Sequence, residues 1–349
     1  MPRVRVALVC GGQSSEHGIS CVSTGSVLAA IDRERFDVSV LGITREGGWA
    51  ALDNPNLELS GDVLPEVATA THSALAGPAL LEGFDVIFPL LHGAYGEDGA
   101  IQGLMESAKM RYVGSGVLAS ATSMEKSAMK QLLTSAELPT PDHVSFRFAD
   151  WVLDPRGIES EITEHLPLPV FVKPSRAGSS QGISKVKSAA DLGKAIAAAG
   201  EHDARIIVEE GVIGREVECA VLQSASGEIL VSVPGEIIVD SKFEFYDFAA
   251  KYLENSTTLV VPADIEGEVV KEIQAMAQEA FIALGCEGLA RVDFFLTAEG
   301  PLINEINTMP GFTPTSMYPR LWDASGVSYK ELISILIDEA LARPTTILR

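Results

Sequence analysis

Apolar positions along the chain change period several times, and the changes mark out its elements. Val4–Val9 is a nearly continuous apolar run ending in Gly11-Gly12, the pattern of a parallel strand buried on both faces. From about Ile19 to Ile31 the apolar residues recur at helical spacing, so the chain opens as strand, glycine turn, helix. Asp37–Ile43 and Phe84–Leu91 predict two more strands, and Gly99–Ala108 a helix that follows the polar string HGAYGEDG. Strands alternating with helices make residues 1–121 a doubly wound α/β unit. Its crevice is expected where Gly11–Glu16 and His92–Asp98 converge.

A different unit begins near Thr122. Ser123–Ala136 predicts a helix carrying Lys126 and Lys130, closed by the connector ELPTP, and Phe146–His165 reads as helix and loop. Val170–Lys173 and Ile183–Val186 predict two strands around the Gly/Ser loop Pro174–Ser180. Asp203–Glu210 and Gly214–Leu222 predict two more. The run GEIIV has strand character, but Asp240–Glu254 mixes charges with five aromatics in neither helical nor strand period, which suits an ordered functional loop. Gly267–Leu284 and Tyr329–Ala342 are amphipathic and predict helices.

The stretch with the most chemistry is a predicted hairpin, Leu289–Leu296 and Leu302–Asn307, joined by the turn Thr297–Pro301. With Leu296 and Leu302 as the last pair, Asp293 faces Glu305 and Arg291 faces Asn307. Alternation then puts all four on one face. Buried charges must be paired or ligated, and hard oxygen donors on one face suit magnesium, which also bridges phosphate oxygens. The competing reading is a solvated hairpin face. A slip of one residue would move Glu305 and Asn307 to the opposite face and remove the site.

Composition narrows the classes. At 349 residues the chain should hold two or three domains. A net charge of −22 argues against non-specific binding to nucleic acid or anionic membrane, although 26 basic residues leave room for a local cationic pocket. Cys10, Cys21, Cys219 and Cys286 show no C-x-x-C spacing and suit reduced thiols in a cytoplasmic protein. The opening MPRVRVALVCGG is too short in its apolar part for a signal peptide, and no run approaches the ~20 apolar residues of a membrane span. No G-x-x-x-x-G-K-[ST] string occurs, but the Gly/Ser loop beside Lys173 can close over phosphates with N–H and hydroxyl donors. A surface hairpin turn explains that loop equally simply. Glu16, at a strand's carboxyl end, can receive an ammonium group or merely favour the helix dipole; His92 alone suits a hydrogen-bonded structural histidine.

Taken together, GGQSSEHGIS, LHGAYGEDG, SMEKSAMK, VKPSRAGSSQGISKV, VEEGVIGREVE, YDFAAKY, ARVDF and NEINTMPGFTPTSMYP resemble, in order and over nearly the whole chain, the D-alanine–D-alanine ligases of the ATP-grasp superfamily. The resemblance implies an N-terminal α/β substrate-binding domain (1–121) followed by a two-subdomain ATP-grasp fold (122–211 and 212–349). It implies ATP and two magnesium ions, with manganese a possible substitute, a cytoplasmic homodimer, and a place in peptidoglycan precursor synthesis. By similarity Lys126 and Lys173 contact ATP phosphates and Lys251 reaches the γ-phosphate. Glu209 and the backbone of Glu210 and Val212 receive adenine, and Glu216 the ribose. Many relatives have lysine at position 210, which leaves the role of this glutamate side chain open.

The resemblance also assigns Asp293, Glu305 and Asn307 to the ions, in agreement with the hairpin argument. The family activates one D-alanine carboxylate as an acyl phosphate, which the amine of a second D-alanine attacks. For that chemistry the resemblance assigns Arg291 and the N–H of Gly311 to the tetrahedral oxyanion. Glu16 takes the first ammonium and is linked through Ser179 to Tyr252. The Ser316–Met317 backbone takes the second carboxylate, with His92 nearby. The alternatives are a depsipeptide-forming ligase using D-lactate, another ATP-grasp carboxylate–amine ligase, and a non-catalytic ATP-binding regulator. The last of these predicts a substitution among Lys126, Lys173, Arg291, Asp293, Glu305 and Asn307, and none is seen.

Overall fold

The computed structural model describes residues 2–53, 55–61, 63–176, 178, 182–239 and 257–345. The first sheet is built from β1 (Val4–Gly11), β2 (Phe36–Ile43), β3 (Trp49–Leu52) and β4 (Val86–Pro89), in the order β3-β2-β1-β4. β1 runs parallel to both β2 and β4, and β3 is an antiparallel edge. Helix α1 (His17–Ala30) follows β1, and α2 (Ala100–Ser107) follows β4. Alternate β1 residues feed opposite cores: Val6, Leu8 and Cys10 one, Ala7 and Val9 the other. This is the doubly wound arrangement, and it brings the β1 turn beside the β4 loop. Gly11 is required there: at φ +87 an added Cβ would lie 2.2 Å from the Ile43 carbonyl oxygen.

Two helices, α3 (Val117–Met124) and α4 (Lys126–Ser135), lead into the second sheet. That region comprises β5 (His143–Arg147), α5 (Phe148–Leu153), α6 (Pro155–His165), β6 (Val170–Pro174), β7 (Ser184–Val186), α7 (Leu192–Gly200) and β8 (Arg205–Glu210). Its strand order is β5-β8-β6-β7, antiparallel throughout. Ile162, Leu166, Leu192 and Ile196 of the helices pack with Val170, Val172, Ile206 and Val208 of the strands in one core.

The third sheet holds β9 (Arg215–Gln223), β10 (Ile229–Val231), β11 (Gly235–Val239), β12 (Thr257–Val260), β13 (Leu289–Leu296) and β14 (Pro301–Asn307), ordered β12-β11-β9-β13-β14 with β10 also on β9. Helix α8 (Gly267–Ala283) precedes β13; α9 (Met317–Ala324) and α10 (Tyr329–Ala342) end the described chain. One face of this sheet packs on α8, α3 and α4 through Val217, Cys219, Phe281, Ala119 and Met129. The other shares a core with the first sheet: Ala220, Leu222, Phe312, Tyr318, Leu332 and Leu336 lie in one cluster with Val6, Leu8 and Phe88. The chain's last helices therefore close the core that its first strand opens. The four cysteines are buried free thiols, and among the described residues no helix is long and apolar enough to cross a membrane.

Several elements differ from the sequence expectation. Ser123–Ala136 is not one helix: the chain leaves helical geometry at Glu125 (φ −92, ψ 100), whose carboxylate caps the second helix by accepting from the Ala128 N–H at 2.8 Å. The cap dictates the break. Phe146–His165 is preceded and overlapped by a strand, β5, whose half-buried HVSFR pattern gives no clean alternation. Phe84–Leu91 contracts to Val86–Pro89, although the Leu90 N–H still donates to the Val9 carbonyl at 3.0 Å. Asp240–Glu254 lies outside the described residues.

Candidate active site

The β13–β14 hairpin pairs Asp293 with Glu305 and Arg291 with Asn307, as alternation predicts, but its end does not match. Leu296 pairs with Pro301 rather than with Leu302, and a β-bulge between Asp293 and Phe294 absorbs the one-residue difference. Without the bulge that end would place Asn304 opposite Asp293. The bulge thus puts the four polar side chains on one face. Arg291 grips Asp293 in a fork, Nε to Oδ1 at 2.6 Å and Nη2 to Oδ2 at 2.7 Å. Its Nε also lies 3.0 Å from Glu218 Oε2 on the neighbouring strand. Burial works against the guanidinium's charge, yet Asp293 and Glu218 hold its pKa well above the ordinary value. Asn307 Nδ2 donates to Asp293 Oδ2 at 3.0 Å.

This face forms part of the wall of a cleft of about 730 Å³, lined by residues of the second and third sheets and by connections of all three. Lys126, the first residue of α4, reaches Glu305 at 3.7 Å. Its position is fixed through Ser175 at the end of β6: the Lys126 N–H donates to the Ser175 carbonyl at 3.0 Å, and the Ser175 hydroxyl donates to Glu125. Arg176, next in the loop, donates to Asp203 through its backbone N–H at 2.9 Å and through its guanidinium. Lys173 donates to Glu209 at 2.5 Å, and Lys130 approaches the other Glu209 oxygen at 3.2 Å. Burial opposes the charge on Glu209, but the two lysines hold its carboxyl far below the usual carboxylate range. Glu210, Val212 and Glu216 line the same end. The Glu210 carboxylate has a structural task, accepting from the Asp142 N–H at 3.0 Å.

At the opposite end Glu16 is buried at the start of α1, where its backbone N–H donates to Ser14 Oγ at 3.2 Å. The Ser14 hydroxyl in turn donates to the His92 carbonyl at 2.6 Å, joining the β1 turn to the β4 loop. His92 is buried and spans two regions: Nδ1 lies 3.1 Å from the Met309 carbonyl and Nε2 3.2 Å from Ser23 Oγ. A carbonyl only accepts, so Nδ1 carries the proton and Nε2 accepts from Ser23. Burial lowers the imidazole pKa, in keeping with this neutral form. Glu97 turns into the same end and accepts from the Gly93 N–H at 2.7 Å. Burial first, and the charge of Glu16 second, push its carboxyl up to about 8. Gly311 packs against Ser316, which precedes α9, and the Ser316 hydroxyl accepts from the Thr313 N–H at 3.2 Å. Gly311, Ser316 and Met317 all face the cleft.

The structure therefore gathers Glu16, His92, Lys126, Lys173, Glu209, Glu210, Val212, Glu216, Arg291, Asp293, Glu305, Asn307, Gly311, Ser316 and Met317 around one cleft. Ser179, Lys251 and Tyr252 lie outside the described residues. Sequence reasoning gives no role to Lys130, Glu218 or Glu97. The sequence shows Lys130 only as a lysine on the predicted helix, and the polar Glu216/Glu218 pattern on β9 is the one signal for Glu218.

Residues 5–115 match the family model described as D-ala D-ala ligase N-terminus, and residues 132–338 match that described as D-ala D-ala ligase C-terminus. The chain belongs to the D-alanine–D-alanine ligase family. It is 50% identical to a D-alanine–D-alanine ligase of Mycobacterium sp. (strain KMS), an alignment spanning 98% of each chain. A relative with the same description from Rhodococcus opacus (strain B4) is 50% identical across 99% of this chain and 98% of that one. Among solved structures, the D-alanine–D-alanine ligase from Coxiella burnetii superposes with a TM-score of 0.81 at 34% identity, covering 98% and 94% of the two chains. The VanG D-Ala:D-Ser ligase from Enterococcus faecalis superposes equally well, TM-score 0.81 at 34% identity over 97% and 100%. The fold is thus the family's ATP-grasp fold behind an α/β domain.

D-alanine–D-alanine ligases use ATP, typically with magnesium, and the hairpin face fits such an ion in donor chemistry: two carboxylates and one amide, all hard oxygen donors. Among the described residues no cluster of three or more His, Cys, Asp or Glu forms a complete metal cage. An ion held there must draw further oxygens from nucleotide phosphate and water, as magnesium prefers to do.

Proposed function

We propose that the protein joins two D-alanines into D-alanyl-D-alanine with hydrolysis of ATP, for peptidoglycan precursor synthesis, in the cytoplasm and as a homodimer. The observation that carries this reading is the single cleft in which the Arg291–Asp293–Glu305–Asn307 face meets Lys126, Lys173 and Glu16. Asp293, Glu305 and Asn307 would hold two magnesium ions, with manganese a possible substitute. The ions supply charge neutralisation at the phosphates when bound. Lys126 and Lys173 bind the phosphate oxygens, with Lys251 reaching the γ-phosphate. Glu209 and the Glu210–Val212 backbone receive the adenine, and Glu216 the ribose hydroxyls.

Glu16 receives the ammonium of the first D-alanine, supported through Ser179 and Tyr252, so that its carboxylate faces the γ-phosphate. Phosphoryl transfer to that carboxylate breaks the bond to the β–γ bridging oxygen and leaves an acyl phosphate and ADP. The deprotonated amine of the second D-alanine then attacks the acyl carbon. Arg291 and the Gly311 N–H stabilise the tetrahedral oxyanion, which collapses with loss of phosphate. The backbone at Ser316–Met317, the start of α9, takes the second carboxylate, and His92 holds the neighbouring Met309 segment in place. The division into 1–121, 122–211 and 212–349 follows this assignment of labour: first substrate, nucleotide, and metal with second substrate.

The test is phosphate release from ATP with D-alanine, with L-alanine and with no amino acid. D-Alanine alone should drive turnover, and equal rates in all three would overturn the reading. A second partner other than D-alanine is checked by mass spectrometry of products from an equimolar mixture of D-alanine, D-serine and D-lactate at pH 7. The expected product is D-alanyl-D-alanine; a dominant D-alanyl-D-lactate or D-alanyl-D-serine peak would move the assignment to that ligase class.

A further inference from the structure

Lys130 has no part in the chemistry above, yet its position is unusual. Its side chain is 0% exposed and Glu209 is 3% exposed, whereas Lys173 is 12% exposed and faces the cleft. Glu209 and Lys173 line the cleft wall, and Lys130 on α4 stands behind it. The Glu209 carboxylate is clamped between two ammonium groups, Lys173 at 2.5 Å from the cleft side and Lys130 at 3.2 Å from the protein side. The latter contact is ionic rather than an aligned hydrogen bond, and neither Lys130 Nζ nor Glu209 Oε1 makes a hydrogen bond to another described group. A buried ion cluster is weak evidence for stability, since replacing the whole cluster by well-packed apolar side chains is often neutral or stabilising. Stability alone is therefore a poor account of Lys130.

We propose that Lys130 is a positioning residue: it neutralises Glu209 from behind, so that Lys173 is free to leave that carboxylate for the phosphates of a nucleotide. This rests on the ligase reading only in making Lys173 the phosphate contact. With one carboxylate between two cations, one cation is in surplus, and only Lys173 can turn toward the cleft. Without Lys130 the buried carboxylate would have a single described partner, and Glu209 would compete with phosphate for it. The balance at Lys130 itself agrees, since burial lowers its pKa while Glu209 raises it.

The experiment compares wild type, Lys130→Met, Glu209→Gln and the double variant. It reads KM for ATP, KM for D-alanine, melting temperature, and the Kd of magnesium tripolyphosphate by calorimetry. The last probe carries phosphate charge but no adenine, so loss of base recognition by Glu209→Gln does not enter it. Lys130→Met should raise KM for ATP and the tripolyphosphate Kd by roughly tenfold, leaving KM for D-alanine within about twofold. In the Glu209→Gln background the same change should cost almost nothing, because no charge remains to hold Lys173. An undiminished cost in that background, or equal increases in both KM values with a fallen melting temperature, would overturn the proposal and leave Lys130 a packing residue. Should Lys130→Met not fold, Glu209→Gln alone decides: it must bind tripolyphosphate at least as tightly as wild type, and weaker binding overturns the proposal. Wild type that turns over with D-alanine while Lys130→Met matches it overturns this inference alone. Wild type that binds tripolyphosphate as described but ignores D-alanine overturns only the ligase reading.

Discussion

Two carboxyls at opposite ends of the cleft are pushed in opposite directions. Glu209, between Lys130 and Lys173, stays ionised far below the usual range; Glu97, enclosed beside Glu16, is pushed up to about 8. Burial acts the same way on both, raising each pKa, so the neighbours decide the outcome. The contrast fits the proposed division of the site. The end proposed for the nucleotide carries a surplus cation, which suits phosphate. At the end proposed for the amino acid, Glu97 holds a proton beside Glu16. Glu305 lies within electrostatic reach of both ends, contributing to Glu97 and to Lys130.

The sharpest way to break that contrast is therefore at Glu305. Glu305→Gln preserves shape but removes one anionic donor from the hairpin face and the partner of Lys126 at 3.7 Å. Turnover should fall by roughly 10²–10³, the usual loss on removing one electrostatic stabiliser of a transition state. Steady-state phosphate release measures it, and activity within about threefold of wild type would remove Glu305 from the metal face.

A smaller effect is expected at His92, which ties the substrate end to the loop before α9. His92→Leu removes the donor to the Met309 carbonyl and the acceptor for Ser23 while keeping bulk. A buried hydrogen bond is worth about 1 kcal/mol, so KM for D-alanine should rise by roughly fivefold. KM for ATP should stay within about twofold, since the nucleotide end does not depend on this link. A rise in KM for ATP instead would mean that the two ends are not separate.

The same contrast explains what is legible in the sequence. Arg291, Asp293, Glu305 and Asn307 lie on two strands joined by a short turn, and period-two alternation brings them together. Even there the expected last pair is off by one residue, and a bulge that no propensity announces restores the face. The Lys130–Glu209–Lys173 group draws on α4, β8 and β6, so no local period relates its members. The sequence shows Lys130 only as one of two lysines on a predicted helix, and its burial against Glu209 appears only in the fold. The Glu125 break is invisible because SMEKSAMK reads as continuous helix, while the capping interaction needs the three-dimensional position of Ser175. Family resemblance supplies the roles of Glu209 and Glu16. Only the fold supplies the charge states of Glu209 and Glu97.

The remaining effect is on stability, and it follows from the direction in which Glu97 is pushed. The folded chain holds that proton up to about pH 8, whereas the unfolded chain releases it near the ordinary value of 4.5. Below about pH 4.5 both states are protonated and the folded state keeps the full contribution of the neutral carboxyl. Between there and about pH 8 the unfolded state binds fewer protons than the folded one, so stability falls as pH rises. Above about pH 8 both states are ionised and the loss is complete. Glu97→Gln stays neutral throughout and retains an oxygen able to accept from the Gly93 N–H. Relative to wild type, the variant should therefore gain stability steadily from pH 5 to pH 8. Urea unfolding at several pH values across that range reads the difference directly. Parallel stability curves for the two proteins would mean that Glu97 is ionised in the folded state, and the two ends of the cleft would then not differ in the way described.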